Sequence, residues 1–214
     1  MRVGHRMTRH PLTATPHTAL KAASELLQKH RIRHLPVVDR GKLVGIVTDR
    51  DIRRALPSDA TSLEVHELLY LLDKVEVQEI MTKELTTATL DTPVEEAARL
   101  MVEKKIGGLP VLEGERLVGI ITETDVLTAF VELMGLRASP ARLEVVLEEK
   151  PGAFADVCQI IEQQGGDISG FFTARGKYHG EELKVLVLRL EAPDFDELIR
   201  AIEGAGHRIL SASL

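Results

Sequence analysis

Two short segments of the chain carry a Thr followed three residues later by an Asp. They are LVGIVTDRD at residues 43–51 and LVGIITETD at residues 117–125, so the pairs are Thr48 with Asp51 and Thr122 with Asp125. A Thr-x-x-acid pattern after an apolar strand is typical of a capping box at a helix start. The pattern also suits a ligand, because a helix start stabilises phosphate and a carboxylate accepts hydrogen bonds from ribose hydroxyls. The residues alone leave both interpretations open.

The two segments belong to a longer internal repeat. Residues 7–56 align with residues 81–130 at a constant offset of 74 without a gap, and 19 of the 50 aligned pairs are identical. In each copy, the order of apolar runs, turns and caps predicts strand, helix, strand, strand, helix. Thr92, Pro93 and Glu95 predict a capping box at the helix of the second copy. The chain therefore contains a duplicated structural unit.

This pair of units resembles tandem CBS domains, often called a Bateman module. The resemblance covers roughly residues 1–135 and is carried by the motifs MT, TATP, IRHLPVVD and LVGIVTDRDI taken together. It predicts a first repeat at residues 1–57, a linker helix at 58–80 and a second repeat at 81–135. Clefts in this family bind adenosine ligands, so the resemblance implies AMP, ADP, ATP or S-adenosylmethionine as a regulatory ligand, with no resident cofactor or metal.

The resemblance also implies which residues line the ligand clefts. They are Thr15, Pro16, Arg33, His34, Pro36, Thr48, Arg50 and Asp51 in the first copy, and Thr89, Gly108, Pro110, Thr122 and Asp125 in the second. Arg33 and Arg50 favour phosphate binding in the first cleft, because the second copy has Gly107 and Thr124 at those positions. The alternative is that these arginines simply cover the surface. Gly45 and Gly119 precede the motifs and are expected to allow a close backbone approach.

The charge distribution is asymmetric. The segment from Met1 to Pro57 contains 12 Lys and Arg against 4 Asp and Glu, whereas the rest of the chain contains 15 against 29. A basic first lobe favours anionic ligands such as nucleotides. A nucleic-acid-binding regulator is the alternative from another class, although 3% aromatic residues and no helix-turn-helix signal argue against it. No GxGxxG, Walker or GxSxG motif and no metal-ligand spacing of histidines occurs, so a non-enzyme is predicted.

The pattern changes after the joint at residues 135–142. Leu143, Val145 and Leu147 alternate as in a half-buried strand, and the following segments predict the order βαββαβ over residues 142–214. A hairpin at residues 176–182 and a capping box from Asp194 to Glu197 are part of this prediction. The predicted fold class is mixed α+β and α/β, with tandem CBS domains followed by a ferredoxin-like domain.

The segment EEKPGAFADVCQIIEQQGGDIS resembles the opening of an ACT domain, a regulatory unit that commonly binds amino acids. The ligand loop implied by this resemblance is Pro151, Gly152, Ala153 and Phe154, together with Asp167. Lys150 and Asp167 depart from the usual pattern, so a purely oligomerising role is the alternative. A CBS pair followed by an ACT domain resembles the AcuB-type acetoin-utilization proteins, which implies regulation of acetoin catabolism through an unidentified target.

Three further expectations concern the environment of the chain. No apolar run reaches the roughly 20 residues of a membrane helix, so no membrane association and a cytoplasmic location are predicted. The single cysteine, Cys158, lies in an apolar helical pattern and is expected to be a core thiol. CBS pairs and ACT domains usually complete their clefts or sheets against a second copy, so a homodimer is predicted.

Overall fold

The computed structural model of the protein describes residues 1–55, 73–136, 141–178 and 180–214. It divides into two compact units, Met1–Val126 and Leu127–Leu214, which are described separately below. Most of the linker helix predicted at residues 58–80 lies outside the described residues.

The first unit contains both sequence repeats. The first repeat follows a short 3-10 turn at Val3–His5 and consists of β1 (Thr8–Arg9), α1 (Leu20–His30), β2 (His34–Asp39), β3 (Lys42–Thr48) and α2 (Asp49–Ala55). After α3 (Val77–Ile80), the second repeat contains β4 (Ala88–Thr89), α4 (Val94–Lys104), β5 (Gly108–Glu113), β6 (Arg116–Thr122) and α5 (Glu123–Leu133). The predicted order is confirmed in the second repeat. In the first repeat, a single parallel bridge between Ala14 and Val37 replaces the first strand.

The beginning of each repeat joins the sheet of the other repeat. Strand β1 pairs antiparallel with β6, with Thr8 opposite Ile120, so the sheet order is β1-β6-β5-β4. The matching contact in the other copy is the antiparallel bridge between Ile46 and Thr82 beside the β2-β3 hairpin. This exchange of strands joins the two repeats into one unit. It also places each Thr-x-x-Asp motif next to residues of the other copy.

The two long helices of the repeats bury matching faces. Helix α1 buries Leu20, Ala23 and Leu27, a spacing that places all three on one face. Helix α4 buries its counterparts, Val94, Ala97 and Met101. Each helix ends in a left-handed residue whose backbone N–H bonds the last turn, as helix C-caps often do.

The capping box predicted at α4 is wrong. Pro93 is the N-cap and makes no side-chain cap bond. The Thr92 hydroxyl instead accepts a hydrogen bond from the backbone N–H of Thr89, at 2.9 Å. Thr18 and Thr15 form the same contact at 2.9 Å in the first repeat. The Thr hydroxyl thus closes the turn before the helix, where a local side-chain bond competes with capping.

The second unit contains β7 (Ala141–Val146), α6 (Ala153–Gln163), β8 (Asp167–Tyr178), β9 (Glu181–Glu191), α7 (Phe195–Gly204) and β10 (Ile209–Ser213). This is the predicted βαββαβ order, and the four strands form an antiparallel sheet in the order β10-β7-β9-β8. Leu143, Val145 and Leu147 are buried as predicted, together with apolar residues of β9 and both helices. The sheet with two helices packed on this core is the predicted ferredoxin-like arrangement.

Three details of this unit refine the prediction. The hairpin is tighter than residues 176–182, because Gly176 still pairs with Leu183 inside the two strands. The Asp194 side chain accepts from the Glu197 backbone N–H at 2.8 Å, which confirms that half of the predicted capping box. Cys158 is half-buried rather than buried in the core, and burial raises the pKa of its thiol.

Candidate functional site

Thr48 and Asp51 form the capping box that their spacing predicts. The Asp51 backbone N–H donates to Thr48 Oγ1 at 3.2 Å, and Asp51 Oδ2 accepts from the Thr48 N–H at 2.9 Å and from the Thr48 hydroxyl at 2.6 Å. Among the described residues, Asp51 Oδ1 accepts no hydrogen bond. The cap therefore fixes the carboxylate and leaves one of its oxygens available to another donor.

Thr122 and Asp125 repeat this geometry at the start of α5. Asp125 Oδ2 accepts from the Thr122 N–H at 2.8 Å and from the Thr122 hydroxyl at 2.7 Å, while the return bond from the Asp125 N–H is longer, at 3.5 Å. Both carboxylates are partly buried. The capping and ligand interpretations of the motif are thus compatible, because Oδ2 of each aspartate makes the capping hydrogen bonds and Oδ1 remains available to a ligand.

Each motif opens into a cleft in the first unit. The cleft around Asp51, called the Asp51 cleft below, has a volume of about 300 Å³. Its lining residues are Arg33, His34, Ile46, Thr48, Asp49, Arg50, Asp51, Arg54, Thr82, Glu84, Leu85, Thr86, Lys105, Ile106, Gly107, Gly108, Pro110 and Glu123. More than half of this wall comes from the second repeat, as a result of the strand exchange.

The cleft around Asp125, called the Asp125 cleft, has a volume of about 460 Å³. It is lined by Thr8, His10, Pro11, Leu12, His30, Arg31, Ile32, Arg33, His34, Ile120, Thr122, Thr124 and Asp125. Residues 8–12 and 30–34 of the first repeat correspond to residues 82–86 and 104–108, which contribute most of the second-repeat wall of the Asp51 cleft. The two clefts are therefore equivalent sites made by the two copies of the repeat.

Arg33 and His34 line both clefts. The Arg33 guanidinium donates to the Thr124 hydroxyl at 3.5 Å, beside the Asp125 motif rather than the Asp51 motif. The His34 ring lies against Gly107 and Gly108: a Cβ at Gly107 would stand 3.0 Å from His34 Nε2. Gly107 and Gly108 of the second copy thus leave the space that the His34 ring occupies.

The environment of His34 favours the neutral imidazole. Burial lowers the pKa of His34, and the neighbouring Arg33 charge lowers it further. Asp49, Glu123 and Asp51 act in the opposite direction, but the net shift of the pKa is downward. A neutral His34 offers one ring nitrogen as donor and the other as acceptor between the two clefts.

The residues predicted for the clefts divide into two groups. Arg33, His34, Thr48, Arg50, Asp51, Gly108 and Pro110 line the Asp51 cleft, and Thr122 and Asp125 line the Asp125 cleft. Thr15, Pro16, Pro36 and Thr89 are not among the lining residues of either cleft. Thr15 and Thr89 instead form the turns before α1 and α4, while Pro16 and Pro36 are buried.

Several lining residues were not predicted, and most come from residues 8–12, 30–34, 82–86 and 104–108. Glu84, Lys105 and Glu123 line the Asp51 cleft, and His10 and Arg31 line the Asp125 cleft. The identical pair Thr8 and Thr82 was the available signal, since it marks the strand that crosses between the repeats. The prediction that phosphate binds preferentially in the first cleft is weakened, because the carboxylates of Glu84 and Glu123 line the same cleft as Arg50.

Of the ligand-loop residues implied for the second unit, only Phe154 lines the cavity formed by described residues of this unit. Phe154 lines a cavity of about 340 Å³ together with Leu133, Cys158, Ile168, Ser169, Gly170 and Phe171. The rings of Phe154 and Phe171 lie 5.0 Å apart. Pro151, Gly152, Ala153 and Asp167 are not among its lining residues; Gly152 has a positive φ of 92° and is the N-cap of α6. Most of its lining side chains are apolar, and two of them, Phe154 and Phe171, are aromatic.

Within the described part of the chain, no group of three or more His, Cys, Asp or Glu side chains is placed to hold a metal ion. No described helix is long and apolar enough to cross a membrane.

Comparison with known proteins identifies the family of the first unit. The model of the CBS domain family matches residues 3–58 and 77–132, which are the two repeats. The chain belongs to the CBS-domain family. The curated relative L-aspartate semialdehyde sulfurtransferase of Methanocaldococcus jannaschii is 37% identical over 126 residues, which is 58% of this chain and only 22% of that enzyme.

Solved structures of CBS pairs match the same region. The CBS domain pair of protein MJ0100, in complex with 5′-methylthioadenosine and S-adenosyl-L-methionine, is 36% identical, covers 61% of this chain and 95% of its own, and has a TM-score of 0.51. CBSX2 in complex with AMP is 32% identical over 61% of this chain and 96% of its own, with a TM-score of 0.50. A putative acetoin utilization protein (AcuB) from Vibrio cholerae is 35% identical over 64% of this chain and 95% of its own, with a TM-score of 0.53.

Proposed function

We propose that the CBS pair of this chain is a regulatory sensor that binds an adenosine ligand in its clefts. The observation that carries the proposal is the hydrogen bonding of the Asp51 and Asp125 carboxylates. In each, Oδ2 is held by the preceding Thr, while Oδ1 has no hydrogen-bond donor among the described residues. A fixed carboxylate oxygen at the wall of a cleft is suited to accept the vicinal hydroxyls of a ribose.

The size and lining of the clefts support this proposal. Volumes of about 300 and 460 Å³ are in the range of small-molecule sites. Ile46 and Pro110 in one cleft, and Ile120 and Pro11 in the other, provide apolar surface for a purine ring beside the polar motif. The relatives solved with S-adenosylmethionine, 5′-methylthioadenosine and AMP match the same region of the chain.

The proposed mode of action is binding rather than catalysis. A ligand shifts a conformational equilibrium only by its differential affinity for two states, so the signal is the arrangement of the CBS pair that the ligand stabilises. We assign the βαββαβ unit the role of an ACT-type regulatory domain. The whole protein is proposed to act in the cytoplasm by regulating a target protein.

Control of acetoin catabolism is the more specific part of the proposal. It is supported by the order of domains and by the similarity to the putative AcuB protein of Vibrio cholerae. Deletion of the gene in its host should slow growth on acetoin while growth on glucose continues at the wild-type rate. Equal growth of the deletion strain on both carbon sources would remove acetoin from the proposal and leave the ligand-binding role intact.

Thermal unfolding with added ligand tests the ligand-binding role. A ligand that binds only the folded state at a hundredfold excess over its Kd adds about 2.7 kcal/mol to the free energy of unfolding. AMP, ADP, ATP or S-adenosylmethionine should therefore raise the melting temperature, and the Asp51→Ala/Asp125→Ala double variant should lose the shift. GMP is the matched control for AMP, because the two nucleotides differ only in the base. A melting temperature that no adenosine ligand changes would contradict the role.

A further inference from the structure

The wall of the Asp51 cleft carries charges of both signs. Arg33, Arg50, Arg54 and Lys105 line it without an ion pair among the described residues, and so do the carboxylates Glu84 and Glu123. Asp49 also lines this cleft, but it is paired with Arg53 on the same helix. This cleft therefore offers both cations and unpaired carboxylates to a ligand.

The wall of the Asp125 cleft carries almost no negative charge. Among the described residues that line it, Asp125 is the only carboxylate, and its Oδ2 is already bonded by Thr122. Arg31 and Arg33 line the same cleft with three histidines, His10, His30 and His34. This cleft therefore offers mainly donors and positive charge.

The difference arises at equivalent positions of the two repeats. Glu84 of the Asp51 cleft corresponds to His10 of the Asp125 cleft in the alignment of the two copies. In addition, Glu123 lines the Asp51 cleft, although it directly follows Thr122 of the other motif. The duplication supplied two equivalent clefts, and the exchange of Glu84 for His10, together with the placement of Glu123, gives them different charges.

We propose that the two clefts select adenosine ligands of different charge. The Asp51 cleft takes an adenosine whose 5′ substituent carries both a cationic group and a carboxylate, whereas the Asp125 cleft takes an adenosine with a 5′ phosphate. The inference rests on the proposed adenosine-binding function and assigns a ligand class to each cleft.

The chemistry of the two walls gives the reason. A phosphate in the Asp51 cleft would share the wall with Glu84 and Glu123 as well as with the cations, and the like charges of the two carboxylates disfavour its binding. In the Asp125 cleft no glutamate is among the described residues of the wall, and the phosphate would meet Arg31 together with Arg33, which lines both clefts. The planar guanidinium groups of these arginines bind phosphate through paired hydrogen bonds. An aminoacyl tail with an ammonium and a carboxylate finds partners for both groups in the Asp51 cleft, but mainly cations in the Asp125 cleft.

A reciprocal exchange at the matched positions tests the inference. The full-length chain is titrated by calorimetry with S-adenosylmethionine and with AMP, and the same titrations are made with Glu84→His and His10→Asp. Both side chains are exposed, and Asp tolerates the positive φ of 49° at position 10. Glu84→His should weaken S-adenosylmethionine about tenfold and His10→Asp should weaken AMP about tenfold, with the other ligand changed by less than about twofold in each case.

The outcomes separate the two proposals. If neither ligand binds the wild-type chain, the adenosine-binding function itself fails. If both ligands bind but each variant changes both affinities equally, changes neither, or changes the opposite ligand, the charge assignment is overturned and the function stands. Unchanged melting temperatures of the unliganded variants establish that a loss of affinity is not a loss of fold.

Discussion

Met81 packs so closely on Gly45 that a Cβ at Gly45 would lie 2.4 Å from the Met81 sulfur. Met7 and Gly119 have the same relationship, at 2.3 Å. Each methionine belongs to the segment that crosses from one repeat to the sheet of the other. The glycine in LVGI is thus required because a methionine side chain of the opposite repeat packs against it. This side chain makes the close approach that was expected at Gly45 and Gly119.

Replacing Gly45 by Ala should therefore destabilise the protein. The added methyl group displaces Met81 from a packed site, and overpacking of this kind typically lowers the free energy of unfolding by about 1–3 kcal/mol. Urea unfolding followed by circular dichroism measures the change. Gly204→Ala is the matched control, because nothing lies within 4 Å of a Cβ at Gly204, at the end of α7.

The partner of Gly45 makes the test specific. Met81→Ala opens the space that the new methyl group needs, so the double variant should be more stable than the sum of the two single changes predicts. Strictly additive effects would contradict a direct contact between residues 45 and 81.

His34 should make the stability of the protein depend on pH. Its pKa is lowered in the folded state by burial and by Arg33. The unfolded chain then binds more protons below the ordinary histidine pKa of about 6.5, so stability present above that pH is lost as the pH falls through the folded-state pKa. Thermal melts at about pH 7.5 and about pH 5.5 should differ less for His34→Gln than for wild type. An equal or larger difference in the variant would contradict this assignment.

The protein should be a dimer that uses the free edge of β8. This strand pairs with β9 on one side, stands at the edge of the described sheet and exposes 53% of Phe171 and 37% of Phe172. Long apolar edge strands readily pair with a second chain. Light scattering should give twice the 23.6 kDa chain mass. Phe172→Lys should shift the population towards monomer, whereas Val102→Lys, at an exposed position of α4, should not; a wild-type monomer at micromolar concentration would refute the prediction.

Ligand binding should be transmitted to the second unit. Helix α5 begins at the Asp125 motif, and its C-terminal part belongs to the unit that starts at Leu127. Leu133, the last residue of α5, lines the cavity of the second unit with Phe154. Hydrogen exchange with AMP should change protection at residues 122–128 and also at residues 143–154. Changes confined to residues before 127 would make the second unit a passive partner.

The repeat, its element order and the Thr-x-x-Asp caps could be predicted from the sequence because each depends on local patterns. Thr48 and Asp51 are three positions apart, so their hydrogen bonds follow from spacing alone. The βαββαβ order followed from alternation and turns in the same way. Thr92 was misjudged because two local bonds compete for one hydroxyl, and the turn contact to Thr89 prevails.

The composition of the clefts could not be predicted in the same way. Which wall Glu84 or Lys105 joins depends on a strand exchange between segments that are distant in the sequence, and no local pattern encodes that pairing. Arg33 illustrates the consequence. Its place in the first copy, where the second copy has Gly107, suggested a role in the first cleft. It lines that cleft, but it also lines the other one, and its hydrogen bond reaches Thr124 of the second motif.

Native mass spectrometry of the purified protein with AMP and S-adenosylmethionine tests the central claim most directly, because it counts subunits and bound ligands together. We expect a dimer that gains up to two adenosine ligands per chain, and an Asp51→Ala/Asp125→Ala variant that stays unliganded under the same conditions. A wild-type protein that keeps its unliganded mass with every adenosine ligand at roughly millimolar concentration, where even a weak site with a Kd of about 1 mM is half occupied, would contradict the account.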